Sequence, residues 1–370
     1  MKLVFHCQVI SPHHLSFAND LARRLGSDEF RYVYTTPLND ERKRLGWAET
    51  GREWMVLDDR SEKIKSLLGD CDVLVSSVRD IETFEGRSAA GRLTVYVSER
   101  WFKPFAVCGH LVSGRLRLLS PSYRRMVRRF RNLLLRDCPF YYFPMSIWAA
   151  RDMASICGYH GEITFESRAG GRIFCADRLL NKFRIWAYFV ESSASPAVAS
   201  RRNFEKVRKV LWVGRLVGVK RVGDIVRAVE LASRRGCNLQ LDIYGHGDDE
   251  AHVRELAKGM PNVSFYDPVP VAQVRGLMRE HDLYVLSSNA MEGWGAVVNE
   301  ALEEGMRVIG TYEAGSSSTL LPPECLYTAG DVKRLSWLLE EDLPLLGIGG
   351  WSCRAAADVL TQIAESKEIK

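Results

Sequence analysis

The chain has 370 residues, of which 46% are hydrophobic, and a formal net charge of +5. This length is sufficient for two domains. No run of about 18 apolar residues is present, and the first residues, MKLVFHCQVIS, become polar too early for a signal peptide, so neither a spanning helix nor a secretory leader is expected. The nine cysteines are scattered without a C-x-x-C pair, which favours free thiols in a reducing cytosol over disulfides or a zinc site.

The first half of the sequence alternates between predicted strands and helices. Residues 2–10 predict a buried strand, and a helix is predicted from about Leu15 to Leu25, where Gly26 ends it. Such alternation predicts the α/β class, with an open parallel sheet and helices on both faces. The other elements predicted in this half are strands at Phe30–Tyr34, Val73–Ser76, Leu93–Val97, Phe140–Pro144 and Phe183–Val190, and a helix at Ser61–Leu68.

A strongly basic segment lies within this half, because residues 100–136 contain ten Arg or Lys and no acid. Arg124–Leu135 predicts a helix with one apolar and one arginine-rich face. Two interpretations stay open: a surface helix packed on the core, or a basic surface at 115–136 that rests on anionic lipid. Nucleic acid is not expected as a partner, since no stacking-aromatic or major-groove motif accompanies the charge. The apolar face comprises Met126, Val127, Phe130, Leu133 and Leu134, and the basic face Arg124, Arg125, Arg128, Arg129 and Arg131.

Residues 191–207 are rich in Ser, Ala and Pro, a composition typical of a linker. A second series of strands and helices follows. The chain is therefore predicted to hold two domains, at 1–195 and 205–345, and a C-terminal helix within 350–370 that packs back on the first domain. The strands predicted after the linker are Lys209–Val213, Leu239–Tyr244, Val263–Phe265, Asp282–Leu286 and Arg307–Ile309.

The stretch from 282 to 320 holds the clearest candidate site. A polar turn, Ser287–Asn289, follows its first strand, and an acidic loop then leads into a helix of roughly ten residues that ends near Glu304. After the next strand, a loop of small residues, Ala314–Ser318, precedes another helix. The exposed amides and the dipole of a helix N-terminus bind anions. Loops at the carboxyl ends of parallel strands therefore predict a ligand site here.

Two acids flank the start of that helix, Glu292 before it and Glu300 in its second turn. Carboxylates accept hydrogen bonds from hydroxyls and repel phosphates, so the pattern suits a nucleotide sugar folded back over its diphosphate. Gly293 and Gly295 would let a ligand approach the backbone. Alternatively, both acids are ordinary surface and helix residues.

Two cations, Arg215 and Lys220, follow the predicted strand Lys209–Val213. An arginine fork and a lysine point charge could clamp a diphosphate at the same edge of the sheet; the alternative is a pair of solvated loop charges. The turn Gly245–Gly247 after the next strand is a weak signal of a ligand site. His246 within that turn is interpreted as a turn residue.

Three histidines are candidates for contacts on the acceptor side: His13 and His14 after the first strand, and His110 in CGHLVSG. Each of them is otherwise a loop or packing residue. A catalytic metal is not expected, because the sequence has no Asp-x-Asp and no cluster of His, Asp and Glu. Gly-x-Ser-x-Gly and P-loop strings are also missing, which argues against hydrolase and NTPase functions.

Together these elements resemble the donor-binding domain of family 4 glycosyltransferases, retaining enzymes with the GT-B fold, in which two Rossmann-like domains face each other across a cleft. Four segments agree with the family in order and spacing over about 205–325, whereas the first half matches only in its alternation of strands and helices. The resemblance implies the same α/β fold for this chain. The four segments are VLWVGRLVGVKRV, LDIYGHGDDE, the base-binding NVSFYDPVPVAQVRGLMREHDLYVLSS, and MEGWGAVVNEALEEGMRVIGT with its Glu-x7-Glu signature.

The resemblance implies a role for each matching residue. Arg215 and Lys220 would bind the diphosphate and, with Glu292 beside the donor sugar, form the catalytic set; Glu300 would bind the ribose. The chain departs from the family at Ser11–His14, where a Gly-rich loop is common. No metal and no cofactor are implied. The implied donor-binding set is Gly214, Gly245, Gly293, Trp294, Gly295, Ala296 and Glu300.

The implied reaction moves a sugar from a nucleotide diphosphate, with retention, to a hydroxyl of a glycan or lipid-linked acceptor in surface polysaccharide synthesis. Negative charge grows on the leaving diphosphate, so catalysis would be electrostatic. The implied location is the cytoplasm, at the inner face of the plasma membrane if the basic segment binds lipid. Three alternatives stay open: a nucleotide-sugar 2-epimerase, a synthase acting on a soluble acceptor, and a non-catalytic nucleotide-sugar-binding protein.

Overall fold

The chain folds into two compact units, the first formed by residues before 192 together with 349–366, the second by 207–348. The expected linker at 191–207 lies, apart from its two end residues, outside the described residues. No helix in the described part of the chain is long and apolar enough to cross a membrane. The computed structural model describes residues 1–38, 40, 43, 51–108, 110–174, 181–191 and 207–366.

The first unit is an open α/β sheet. Its strands are β1 (Leu3–Val9), β2 (Phe30–Thr36), β3 (Met55–Leu57), β4 (Val73–Ser76), β5 (Leu93–Ser98), β6 (Phe105–Val107), β7 (His110–Val112), β8 (Phe140–Pro144), β9 (Thr164–Phe165) and β10 (Ile173–Phe174). Its helices are α1 (Pro12–Leu25), α2 (Glu62–Asp70), α3 (Ile81–Ala89), α4 (Pro121–Leu135), α5 (Ile147–Cys157) and, from the end of the chain, α12 (Cys353–Ser366).

Six of these strands form one parallel sheet in the order β3-β2-β1-β4-β5-β8. Strands β4 and β5 are buried along their whole length, as expected for a parallel sheet covered on both faces. Strand β6 pairs with β7, and β9 with β10, as small antiparallel hairpins. The sequence pattern did not predict these short hairpins, because strands of two or three residues carry too little periodicity.

The second unit repeats the same architecture. Its strands are β11 (Arg208–Val213), β12 (Leu239–Tyr244), β13 (Val263–Tyr266), β14 (Leu283–Leu286), β15 (Arg307–Thr311) and β16 (Leu326–Tyr327). Its helices are α6 (Val222–Arg234), α7 (Glu250–Leu256), α8 (Val271–Glu280), α9 (Val297–Glu303), α10 (Gly315–Leu320) and α11 (Val332–Leu338). The parallel sheet has the order β13-β12-β11-β14-β15-β16, which is the 3-2-1-4-5-6 order of a Rossmann fold. The predicted α/β class with two Rossmann-like domains is thus confirmed.

The C-terminal helix α12 belongs to the first unit. It packs against α1, and Arg24 on α1 forms an ion pair with Asp358 on α12. Its apolar face, which includes Ala356 and Leu360, is buried. The last helix of the chain therefore completes the first unit.

The segment Phe183–Val190, predicted as a strand, is not one. Only isolated bridges are present in it, from Phe183 to Tyr142, from Arg184 to Arg172 and from Val190 to Ser352. The segment is apolar because most of its side chains are buried. A short apolar run does not by itself distinguish a strand from a buried irregular segment.

Helix α9 is shorter than predicted, with seven residues, so Glu300 lies in its first turn and not its second. Gly295 has a φ of 88°, which is outside the helical range and prevents an earlier start. Helix α10 begins at Gly315. Gly315–Ser318 therefore belong to the helix and do not form a loop before it.

Helix α4 packs one face on the core and leaves most of its arginines exposed. Phe130, Leu133 and Leu134 are buried. Arg129, predicted on the basic surface, instead forms ion pairs with acids on α3, at 3.2 Å from Glu82 and 2.5 Å from Glu85. The basic face that remains exposed comprises Arg124, Arg125, Arg128 and Arg131.

Candidate functional site

The candidate site lies at the carboxyl edge of the second sheet, where the loops after β11 and β14 meet. These two strands are neighbours in the sheet, but their connections run in opposite directions, β11 toward β12 and β14 toward β15. Such a topological switch point leaves a crevice between the two loops, and open α/β sheets bind ligands there. All charged residues of the predicted catalytic set follow these two strands.

The loops after β11 and β12 are packed so closely that glycine is required. The Leu216 amide donates to the His246 carbonyl oxygen at 2.8 Å, and the Gly214 amide donates to the carbonyl oxygen of Tyr244 at 3.0 Å. A Cβ at Gly245 would lie 1.8 Å from the carbonyl oxygen of Gly214, and Gly245 has a φ of 147°. Two of the predicted donor-binding glycines, Gly214 and Gly245, therefore fix the shape of the loop that carries Arg215.

Lys220 ends a short 3-10 turn that is attached to the loop after β14. The Ser287 hydroxyl donates to the Lys220 carbonyl oxygen at 2.5 Å, and the Asn289 amide donates to the carbonyl oxygen of Val219 at 2.9 Å. The Thr311 hydroxyl donates to the Ser288 carbonyl oxygen at 2.5 Å, which ties the same loop to β15. Three strands thus hold the backbone beneath the lysine.

The Lys220 ammonium and the Glu292 carboxylate form an ion pair across the switch point. The Ser288 hydroxyl donates to the same carboxylate at 2.9 Å. The lysine side chain is 25% exposed and the glutamate 15%, so a ligand can reach the pair while the surrounding protein shields it from most of the solvent. A cation and an acid in contact can bind a phosphate oxygen and a neighbouring hydroxyl, respectively.

Arg215 is exposed in the loop after β11. No other described residue forms an ion pair or side-chain hydrogen bond with its guanidinium. A planar fork of N–H donors that the described residues leave unengaged is available for a bidentate anion. Arg215 and Lys220 therefore belong to one loop, although only Lys220 is shown in contact with Glu292.

Glu300 is half-buried on α9. Burial raises its pKa to about 7, and the nearby Arg275 guanidinium opposes that rise. Arg275 and Arg279 on α8 both form ion pairs with Glu304, whose side chain is fully buried. The described geometry thus places a carboxyl group that titrates near neutrality on the first turn of α9.

Trp294 has a structural role that the sequence did not reveal. Its side chain is buried, and its indole N–H donates to the Asn299 side-chain oxygen at 2.8 Å. Its carbonyl oxygen accepts from the Ser316 amide at 2.9 Å, which links the loop to α10. Gly293 is buried as well, whereas Gly295 and Ala296 are partly exposed. The predicted donor-side role of Trp294 can therefore involve only its backbone.

The three histidines predicted on the acceptor side lie in the first unit. His14 stacks on Tyr188, with ring centroids 5.5 Å apart, and its Nδ1 lies 3.3 Å from the Tyr32 hydroxyl. Burial lowers the pKa of His14 to about 3 and that of His13 to about 4, so both rings are uncharged at neutral pH. His110 is exposed on β7, and the structure does not bring it together with the other two.

The sequence did not identify three residues that position the loop around Lys220: Ser287, Ser288 and Thr311. The polar turn after β14 marks the first two, but Lys220 and Thr311, with which they form hydrogen bonds, lie far away in sequence. The described residues contain no group of three or more His, Cys, Asp or Glu arranged to hold a metal ion. The chemistry available at the switch point is therefore that of two cations, two acids and several hydroxyls.

Comparison with known proteins gives a match in the second unit, where residues 207–340 fit the family model described as glycosyl transferases group 1. Over 111 residues, the chain is 28% identical to the UDP-N-acetylglucosamine–peptide N-acetylglucosaminyltransferase GtfA subunit of Streptococcus parasanguinis. That match covers 30% of this chain and 21% of the relative, so the chain spans only a small part of that protein.

Solved structures match over the whole chain. The apo form of WaaB, a lipopolysaccharide outer core galactosyltransferase, has a TM-score of 0.64 at 15% identity over 100% of both chains. Anabaena HepE in complex with UDP has a TM-score of 0.60 at 16% identity over 99% of both chains. WaaG, a glycosyltransferase involved in lipopolysaccharide biosynthesis, has a TM-score of 0.52 at 16% identity over 99% of this chain and 96% of its own. At these identities the likeness establishes the fold, which is GT-B. Residues 207–340 thus match group 1 glycosyltransferases, within a chain of two Rossmann-like domains.

Proposed function

We propose that this chain is a retaining glycosyltransferase that moves a sugar from a nucleotide diphosphate to a hydroxyl of a glycan or lipid-linked acceptor. The observation that carries the proposal is the Lys220–Glu292 ion pair at the switch point of a group 1 glycosyltransferase domain. Arg215 on the same loop adds a second cation, which no other described residue pairs with. Two cations match the charge of a diphosphate, and the acids Glu292 and Glu300 match sugar and ribose hydroxyls.

A bound nucleotide sugar would replace the Lys220–Glu292 ion pair with two contacts to the ligand, one from each side chain. The incoming diphosphate attracts the Lys220 ammonium, and the Glu292 carboxylate, held by Ser288, then accepts hydrogen bonds from the donor sugar. HepE was crystallised with UDP, which supports a UDP-sugar as the first donor to test. Because the two cations supply positive charge, we propose that no metal is needed.

Catalysis would be electrostatic. As the glycosidic C–O bond breaks, negative charge grows on the leaving diphosphate, and Arg215 and Lys220 stabilise it most in the transition state. With retention, the acceptor hydroxyl attacks on the face that the diphosphate leaves. The departing phosphate oxygen can take the hydroxyl proton, so an enzyme base is not required.

We propose a role in surface polysaccharide synthesis, on the cytoplasmic side of the membrane. WaaB and WaaG, named for their roles in lipopolysaccharide synthesis, share the fold and support an acceptor of this kind. The eight described cysteines are all free thiols, which is consistent with a reducing compartment.

The experiment begins with a thermal-shift screen of nucleotide sugars. A donor at 100 times its Kd should stabilise the protein by about 2.7 kcal/mol. The stabilising donor is then used in turnover assays with and without EDTA, and the anomeric configuration of the product is determined by NMR. The proposal predicts metal-independent transfer with retention.

Other results would contradict the proposal. Stabilisation without turnover would indicate a non-catalytic binding protein, and an epimerised nucleotide sugar would indicate a 2-epimerase. Loss of turnover in EDTA would disprove metal independence, and an inverted product would disprove retention.

A further inference from the structure

Four large apolar side chains are exposed in the first unit, directly before the basic helix α4. Val107 is 47% exposed, Leu111 49%, Leu116 48% and Leu119 73%. Leu119 is the most exposed large hydrophobic residue in the described part of the chain. Isolated exposed apolar side chains are ordinary, but four of them within thirteen residues of sequence call for an occupant.

Two of these side chains lie on opposite faces of the hairpin formed by β6 and β7. Val107 is paired with His110, and Ala106 with Leu111. Residues directly opposite each other share a face, and neighbours along a strand alternate, so Val107 and Leu111 project in opposite directions. A groove on a partner protein would cover one face of the hairpin, whereas the apolar layer of a lipid bilayer can surround both faces.

The hairpin, the following 3-10 turn at Gly114–Leu119 and α4 form one surface. Arg117 in the turn donates to the Lys103 carbonyl oxygen at 2.7 Å, and its guanidinium lies 4.9 Å from the centre of the Phe105 ring. A Cβ at Gly114 would lie 2.3 Å from the Phe102 backbone. The turn also contacts α4. The apolar and basic groups are therefore held together rather than scattered on separate loops.

Helix α4 mainly supplies charge to this surface, although its last residue, Leu135, is 41% exposed. Its apolar side chains Phe130, Leu133 and Leu134 are buried in the core, so the helix cannot roll over and insert its own apolar face. Residues 100–136 contain no acid that would neutralise the exposed arginines. The outward charge comes from Arg115 in the turn and from Arg124, Arg125, Arg128 and Arg131 on the helix.

We propose that this surface docks the first unit on an anionic lipid bilayer. The exposed apolar side chains enter the headgroup boundary, and the arginines bind lipid phosphates around them. Stable attachment to a membrane takes two such signals, an apolar one and a basic one, and both are present within one rigid surface. The docking does not depend on which sugar is transferred or on whether the proposed transfer takes place.

The test is co-sedimentation of the full chain with two kinds of vesicle, phosphatidylcholine alone and phosphatidylcholine with phosphatidylglycerol in equal parts. Binding is expected only to the anionic vesicles. Leu119→Asp should weaken it about tenfold or more, because a charged side chain cannot enter the apolar layer. The paired variant Arg124→Glu with Arg128→Glu should weaken it at least as much and flatten its salt dependence. The matched control is Leu345→Asp, which changes a leucine of the second unit that is 41% exposed.

Three outcomes would overturn the proposal. In the first, wild-type protein does not bind the anionic vesicles at low salt. In the second, Leu119→Asp binds like wild type while the arginine variant does not, so that the attraction is purely electrostatic and no insertion occurs. In the third, Leu345→Asp loses as much binding as Leu119→Asp. Donor hydrolysis without vesicles should be the same in Leu119→Asp and wild type, which separates failure of docking from failure of the proposed transfer.

Discussion

The two sheets of this protein share one strand order but differ in chemistry at their switch points. In the second sheet the switch point carries a partly exposed ion pair, Lys220 with Glu292. In the first sheet the corresponding strands β1 and β4 contribute His6 and Ser76, both buried. The Ser76 hydroxyl lies 3.4 Å from His6 Nδ1, and the Asp58 carboxylate lies 3.4 Å from His6 Nε2.

Burial also lowers the pKa of His6, against the effect of Asp58 and Asp80, and the rings of His13 and His14 on α1 are uncharged at neutral pH. The comparison shows that topology determines where a site forms, whereas the loops determine which ligand suits it. One edge can bind a polyanion, whereas the other combines uncharged histidine rings and a hydroxyl with the Asp58 carboxylate. The following predictions test this difference.

The largest effect is expected for Lys220→Ala, which removes one of the two cations at the carboxyl edge of the second sheet. Turnover should fall at least a hundredfold, equivalent to about 2.7 kcal/mol or more, because the leaving diphosphate loses a preorganised positive charge. Steady-state kinetics with the stabilising donor measure the loss. Lys258→Ala is the matched control, since that lysine is exposed and pairs with Glu255 on the surface. A near-wild-type rate for Lys220→Ala, with an unchanged melting temperature, would rule out a catalytic role for this residue.

Gly245→Ala tests whether the carboxyl edge of the second sheet depends on close contact between its loops. The added Cβ would meet the Gly214 carbonyl oxygen, and an L-residue is strained at this φ, so the protein should lose about 1–3 kcal/mol of stability. Urea unfolding measures this change. Gly276→Ala, on α8 where no atom lies within 4 Å of the new Cβ, should instead be neutral or slightly stabilising. Equal midpoints for the two variants would show that the loops can separate at little cost.

Donor affinity should depend on pH through Glu300, whose pKa is raised to about 7 by burial. If the ionised carboxylate accepts hydrogen bonds from the ribose, the donor binds most tightly above that pKa, and its affinity falls as the pH drops through it. At a pH about one unit below the pKa, the Kd should rise up to about tenfold. Calorimetric titration with a UDP-sugar from acidic to alkaline pH measures the profile, and Glu300→Gln should flatten it. An identical slope in both proteins would assign the titration to another group.

The smallest effect is expected in the first unit, for His14→Phe. The folded-state pKa of His14 is lowered to about 3, whereas an unfolded histidine titrates near about 6.5. Neutral His14 therefore contributes stability that is complete above the unfolded pKa and is lost as the pH falls toward the folded one. His14→Phe should lose less stability between pH 7 and mildly acidic pH in urea unfolding. The control is His252→Phe at an exposed histidine, and it should lose as much stability between the two pH values as wild type does. If His14→Phe also loses as much as wild type, the His14 ring can take up a proton freely in the folded protein.

Much of the fold was predictable because the information is local. Mostly apolar segments such as Val73–Ser76 and Leu239–Tyr244 are strands in the structure with the predicted bounds, although Gln240 and Asp242 interrupt the second. A parallel strand that is covered on both faces is mostly apolar along its length. The charged residues after the strands were also visible in sequence, since loops at the carboxyl ends of parallel strands meet at one edge.

Tertiary structure alone decided which of these residues touch. Lys220 and Glu292 are 72 positions apart, and Arg129 is 44 positions from Glu85, so no periodicity predicts either pair. Trp294 has a structural role because Asn299 accepts its indole N–H. The sequence by itself determined the strands, the glycine turns and the inventory of charges, since each depends on the neighbouring residues. The partner of each charge depends on strand order and on distant loops, and only the folded chain brings these together.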